Sequence, residues 1–248
     1  MSSPLVVSRV NGADCPRVGR CESVPVGGRI RFFLNEWRNI GASKQVLRWI
    51  QLGYPLRFKK DLIDSKNLPK LTRLAHPQVV TQYSNNQVKQ QALDLLIQDL
   101  LAKRCIREMA DHEVGYFSRV FLVPKKSGGW RLVIDLSQLN QSLAPVTFTM
   151  DTLAQVRKVL KQGMWATSID LSDAYQHIPM SKSSQVYLCF QVGRKRYMYL
   201  VPPFGLISAP WLFTQVVKQL KKWAAKNNLA LFQYLDDWLN LETDKQKN

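Results

Sequence analysis

Apolar residues change their spacing several times along the chain, and each change marks an element. Val88, Ala92, Leu95, Leu96 and Leu100 recur every three or four positions, predicting a helix that Ser84-Asn85 caps and that runs to about Arg104. Residues 117–123 and 130–135 are apolar runs of strand length. Pro124-Lys125-Lys126-Ser127-Gly128-Gly129 joins them, giving a hairpin with a basic, glycine-rich tip. A second helix is expected behind Asp151, read as its cap, with Leu153, Val156, Val159 and Leu160 on its apolar side and Gly163 as its end. A short strand follows at 165–171, then a hairpin of 186–192 and 196–201 around Gly193. Ser208 opens a helix to about Asn227 with Leu212, Val216, Val217, Leu220 and Trp223 inward. The last hairpin, 229–234 and 238–241, carries Asp236 and Asp237 in its turn.

Upstream, Phe32, Phe33, Leu34, Trp37, Ile40, Val46, Leu47, Trp49, Ile50 and Leu52 suggest two short helices around Gly41-Ala42-Ser43, with the tryptophans as core packing. Residues 55–83 are polar, hold Pro55, Pro69 and Pro77, and read as a connecting arm. The first 25 residues, rich in Pro, Gly and Ser, read as a tail. Helices and strands do not alternate regularly, so the expected class is α+β and not a doubly wound sheet. There is no internal repeat.

A chain of 248 residues holds one or two domains, and 46% hydrophobic with 21% charged residues excludes disorder. The net charge of +17 points to a polyanion, nucleic acid before anionic membrane; the alternative is a basic soluble protein with no such partner. Cys15, Cys21, Cys105 and Cys189 lack CxxC spacing and the three histidines are scattered, which argues against structural zinc or a disulfide framework and for a reducing, intracellular setting. Residues 1–20 show no secretory pattern. Residues 197–217 lack charge over 21 positions, but Pro202, Pro203, Gly205 and Pro210 break any helix there, so no membrane partner is expected.

Two acidic sites fall at predicted strand ends amid apolar residues: Ser168-Ile169-Asp170-Leu171-Ser172-Asp173-Ala174-Tyr175 and Tyr234-Leu235-Asp236-Asp237. Neighbouring carboxylates in an apolar hairpin repel and lose hydration, so they favour a counter-cation. Mg²⁺ takes a few carboxylates plus substrate phosphates. Two ions about 4 Å apart suit phosphoryl or nucleotidyl transfer. Taken alone, Asp236-Asp237 fits an ordinary hairpin turn better than a metal site.

The flanking residues change that balance. Phe121-Leu122-Val123-Pro124-Lys125-Lys126, Trp130-Arg131-Leu132-Val133-Ile134-Asp135 and Leu139-Asn140 look like the fingers hairpin of reverse transcriptases. Ile169-Asp170-Leu171 with Asp173-Ala174-Tyr175, then Pro203-Phe204-Gly205-Leu206 with Ser208-Ala209-Pro210, then Tyr234-Leu235-Asp236-Asp237 resemble the family's three palm motifs, in order. The variants most resemble DIRS-like, tyrosine-recombinase retrotransposons, as does the 27–37 stretch.

The resemblance implies a polymerase right hand of fingers and palm, the palm a split βαβ sheet, acting as an RNA-directed DNA polymerase on an RNA or DNA template-primer with dNTPs. It makes Asp170, Asp236 and Asp237 catalytic. Together with the Leu171 carbonyl they would hold two Mg²⁺, or Mn²⁺ in their place. Lys125, Lys126 and Arg131 would hold the triphosphate, Phe204 and Gly205 would lie against nucleotide and template, and Tyr175 would be the steric gate against a 2′-hydroxyl.

The implied organisation is a flexible tail (1–25), an extension with short helices and an arm (26–83), fingers (84–145), palm with the first aspartate (146–180), a fingers hairpin (181–204) and palm again (205–248). Ser137 stands where the family often has arginine, and Pro202 where it often has leucine. The chain stops 11 residues after Asp237, so thumb and RNase H regions are expected to be missing. The rival expectation is a catalytically inert, nucleic-acid-binding remnant of a retroelement.

Overall fold

The computed structural model describes residues 6–10, 24–60, 80–81, 86–126 and 128–243. Its strands are β1 (Val6–Val10), β2 (Val80–Thr81), β3 (Ile106–Glu108), β4 (Val120–Pro124), β5 (Trp130–Ile134), β6 (Trp165–Asp170), β7 (Cys189–Val192), β8 (Lys195–Tyr199), β9 (Ala230–Tyr234) and β10 (Asp237–Glu242). The helices are α1 (Leu34–Asn39), α2 (Lys44–Leu52), α3 (Gln87–Ala102), α4 (Ser137–Ser142), α5 (Leu153–Val159), α6 (Lys182–Gln185) and α7 (Ala209–Lys226). The mixture is that of an α+β protein.

One sheet has the order β1-β6-β10-β9, with β1 parallel to β6 and β10 antiparallel to both its neighbours. The chain thus leaves β6, passes through α7, and returns as β9 before β10 fills the gap between them. A second sheet runs β2-β7-β8-β3, and β4-β5 stands as a separate hairpin. Helix α7 explains how these meet: its Leu212, Phe213, Val216 and Val217 are buried in the main core. Burying each such side chain contributes roughly 1.5–3 kcal/mol.

The aromatic-rich upstream segment joins the same core. Trp49 packs edge-on to Tyr54 and to Trp211 of α7, at 5.5 and 5.6 Å between centroids. Two glycines permit the docking. A Cβ on Gly27 would lie 2.0 Å from the Arg104 carbonyl oxygen, and one on Gly53 would lie 2.4 Å from the Met180 backbone. Steric exclusion therefore requires glycine at both.

Several sequence expectations need correction. Residues 6–10, assigned to a flexible tail, form β1 along the open edge of β6; a valine-rich segment suits an extended strand. Helix α3 is capped by Asn86, whose side chain accepts from the Lys89 amide, while Ser84 and Asn85 lie outside the described residues. Leu93 and Ile97 are its buried residues, Ala92, Leu96 and Leu100 are half-buried against the same core, and Val88 and Leu95 are exposed. The docked face is thus centred on Leu93 and Ile97, a little to one side of the expected one, so that two bulky residues at i and i+4 face the core.

Asp151 does not cap α5. Thr152 occupies that position, while the largely buried Asp151 carboxylate pairs with Lys221 of α7 and accepts from the Gln233 amide of β9. A buried carboxylate with a cation and an amide is better satisfied there than at a solvent-facing cap. Leu153, Val159 and Leu160 are exposed, and so is Trp223. The stretch 186–188 precedes its strand as a turn, and Asp237 is the first residue of β10, not part of the turn. Most of the arm (61–79 and 82–83), residues 84–85 and Ser127 lie outside the described residues.

Candidate active site

Strand pairing places the acidic residues. Asp170 ends β6 directly opposite Asp237, which begins β10. Directly paired residues point to one face of an antiparallel sheet. Asp236 sits with Leu235 in the two-residue turn joining β9 to β10. Leu235 has φ +54°, a costly conformation for a branched side chain. Its carbonyl accepts from the Trp238 indole N–H (3.1 Å), and the Asp236 carbonyl accepts from the Leu171 amide (3.0 Å), so the strained turn is fastened from both sides. All three aspartates are solvent-exposed, flanked by buried Trp238 and half-buried Ile169 and Leu171. Among the described residues, no three His, Cys, Asp or Glu side chains form a ready-made metal cluster.

Tyr175 follows on a 3-10 turn, Ala174–His177, entered through Asp173 at φ +55°. Its ring packs against Phe204 (5.5 Å) and Phe213 (5.6 Å). Burial, and secondarily the Asp236 charge, push its phenol pKa upward. Lys103, at the end of α3, bridges Asp99 (2.9 Å) and Asp173 (3.1 Å). Burial opposes its charge, but the two carboxylate hydrogen bonds outweigh that and raise its pKa.

A cleft of about 250 Å³ gathers Lys103, Lys125, Arg131, Asp173, Gln176 and Phe204. It therefore unites two of the three expected phosphate-holding cations with Phe204; Lys126 is exposed outside its lining. Gly205, at φ +96°, lies where a Cβ would be 3.3 Å from the Ile134 carbonyl oxygen. Its own carbonyl accepts from the Asn140 side-chain amide (2.8 Å), and the Asn140 oxygen accepts from the Ile207 amide (2.9 Å). Asn140 thus fastens the Phe204-Gly205 loop to α4. The sequence alone places Asn140 beside the fingers motif without a role and does not single out Lys103. For Asn140 the neighbouring motif was a signal; for Lys103, an unremarkable lysine at a helix end, there was none.

Comparison with known proteins bears on these residues directly. Residues 123–247 match the family described as reverse transcriptase (RNA-dependent DNA polymerase). The Pol polyprotein of equine infectious anemia virus (isolate 1369) is 26% identical over 197 residues, 75% of this chain and 16% of that polyprotein. The Gag-Pol polyprotein of walleye dermal sarcoma virus is 34% identical over 128 residues, 50% of this chain and 7% of its own length. The Transposon Tf2-3 polyprotein of Schizosaccharomyces pombe is 30% identical over 120 residues, 48% and 9% respectively. The chain thus spans a small part of each relative. The matched region covers half of the chain and contains Lys125, Arg131, Asp170, Tyr175, Phe204, Asp236 and Asp237: this chain belongs to the reverse transcriptase family.

Proposed function

We propose that the chain carries the fingers and palm of a retroelement reverse transcriptase, and that it extends a primer 3′-hydroxyl with dNTPs on a nucleic-acid template. The observation that carries this reading is the register that sets Asp170 against Asp237 beside the Asp236 turn. The order β6-β10-β9, with α7 as the crossover, supports a split βαβ palm. The β4-β5 hairpin with its basic tip supports the fingers. The motif variants support a DIRS-like origin, which the retroviral and Tf2 relatives leave open.

Three carboxylates and the Leu171 carbonyl are hard oxygen donors, a set whose chemistry fits Mg²⁺. When bound, the divalent cation supplies charge neutralisation at the triphosphate and activation of the attacking hydroxyl. Asp170, Asp236 and Asp237 would hold it. Arg131 presents a fork of donors to phosphate and Lys125 a mobile point charge. Tyr175 packs against Phe204 and Phe213, and its ring so held would exclude a 2′-hydroxyl by volume.

Primer extension by Asp170→Asn tests the reading. Extension should vanish while template-primer affinity stays within a few-fold, because phosphate contacts supply most of that affinity. Extension at the unsubstituted level by this variant would sink the assignment. Binding without extension by the unsubstituted chain would return the inert-remnant reading.

A further inference from the structure

A second cleft, of about 770 Å³, lies between the upstream segment, the end of α3 and α6, and none of Asp170, Asp236 and Asp237 lines it. Its lining includes Arg31, Arg104, Arg107 and Lys182 and no acidic residue. Arg107 is engaged by Glu113, whereas Arg31, Arg104 and Lys182 are exposed and make no ion pair among the described residues. Beside them Phe32 is 61% and Leu52 59% exposed, an unusual state for large apolar side chains.

The walls are fixed in advance. The Gly27 amide donates to the Lys103 carbonyl (2.7 Å), Gly28 to Gln176 (2.9 Å) and Tyr54 to Pro179 (2.8 Å). Gly27 and Gly53 are the close approaches described above. Arg104 itself occupies the left-handed position that ends α3, at φ +53°, with Cys105 bonded back to Leu100 and its own amide to Leu101. That is a Schellman cap, where glycine is usual. An arginine kept there is a local strain that places a cation on the cleft wall.

We propose that this cleft binds the backbone of single-stranded nucleic acid, with phosphates on Arg31, Arg104 and Lys182 and bases against Phe32 and Leu52. Cations next to exposed apolar side chains suit a strand with unpaired bases, because stacking needs a free base face. A duplex would leave Phe32 and Leu52 unused, and a bilayer surface requires a flat or convex apolar face and not a recess. The proposal goes beyond the polymerase reading, since none of the residues assigned there to the metal, the dNTP or the steric gate lines this cleft.

The test is fluorescence anisotropy of a labelled single-stranded oligouridine in EDTA, between about 50 and 200 mM salt. The triple variant Arg31→Gln/Arg104→Gln/Lys182→Gln should lower the salt slope by about 2 and the affinity about 100-fold near 0.1 M salt, as three lost contacts to a single strand require. Arg157→Gln/Lys158→Gln/Lys161→Gln removes the same charge elsewhere and should change the slope by less than about 1. Phe32→Ala should cost about tenfold in affinity with no change in slope. Arg104→Gly relieves the left-handed strain, so it should raise Tm by about 2–4 °C and still weaken binding. That opposite movement separates binding from folding. Equal losses from both triple variants would overturn the proposal. So would an unaffected Phe32→Ala, or a cleft variant that loses anionic phosphatidylserine vesicles but keeps the oligonucleotide. Asp170→Asn should bind like the unsubstituted chain, so failure of the polymerase reading leaves this result legible.

Discussion

Asn140→Ala removes both hydrogen bonds that hold the Phe204-Gly205 loop, leaving the Gly205 carbonyl and the Ile207 amide without their partner. Each such bond contributes roughly 0.5–1.5 kcal/mol net. Asn140 is half-buried, so water can replace part of the loss. The expected cost is therefore about 1–2 kcal/mol, or roughly 2–8 °C in Tm for a chain of this size. The kinetic effect should be larger than the stability effect suggests. Gly205 is held at φ +96° close to Ile134, and Phe204 packs on Tyr175, so a freed loop shifts both residues expected to touch the nucleotide. A displacement of about 1 Å in a positioned group can cost roughly 100-fold in rate. Single-nucleotide primer extension should show dNTP kcat/KM reduced about 10- to 100-fold, alongside a thermal melt that confirms folding. A lowered Tm with unchanged dNTP kinetics would refute the positioning argument, and an unchanged Tm would refute the bond energies.

Arg131→Ala should lower kcat/KM for dNTPs about 10- to 100-fold, corresponding to roughly 1.5–3 kcal/mol for a charged bidentate contact; intact kinetics with a lower Tm would mean a purely structural arginine. Tyr175→Val should erode discrimination against rNTPs more than it slows dNTP use, measured by competing the two sugars at one template position; equal loss for both would defeat the gate. The Glu113 carboxyl is held down to about 2, against an ordinary 4.5, by hydrogen bonds from the Arg107 guanidinium first and the Ala110 amide second. Its contribution to stability is therefore present above about pH 4.5 and lost as pH falls toward 2. The stability gap between Glu113→Gln and the unsubstituted chain should close across that window in pH-dependent melts, and a constant gap would contradict the ion pair.

The elements that hold the acidic residues were readable because their signals are local. A buried strand needs an apolar run, a two-residue turn needs a break between two such runs, and α7 needs an apolar residue every third or fourth place. Residues 165–171, 208–227 and the final hairpin carry those patterns, and each element lies within a few residues of its expected place. Local patterns also brought out Asp170, Asp236 and Asp237, since carboxylates amid apolar residues are conspicuous.

Other features depended on what lay across the fold. Asp151 looks like a cap until Lys221 and the Gln233 amide, 70 and 82 positions away, offer it better partners. The face of α3 was expected from Ala92, Leu96 and Leu100, but the surface it docks on centres it on Leu93 and Ile97 and leaves Val88 and Leu95 exposed. Asn140 and Lys103 act through bonds to residues 65–70 positions distant, which no periodicity encodes. Gly27 and Gly53 look like turn residues, yet their requirement comes from backbone of Arg104 and Met180 pressed against them. The basic cleft has the same origin: Arg31, Arg104 and Lys182 are scattered cations in the sequence, and docking of the upstream segment brings them to one cleft. Local propensity is written residue by residue, whereas desolvation, ion pairing and steric exclusion exist only between surfaces, and those surfaces form only when the chain has folded.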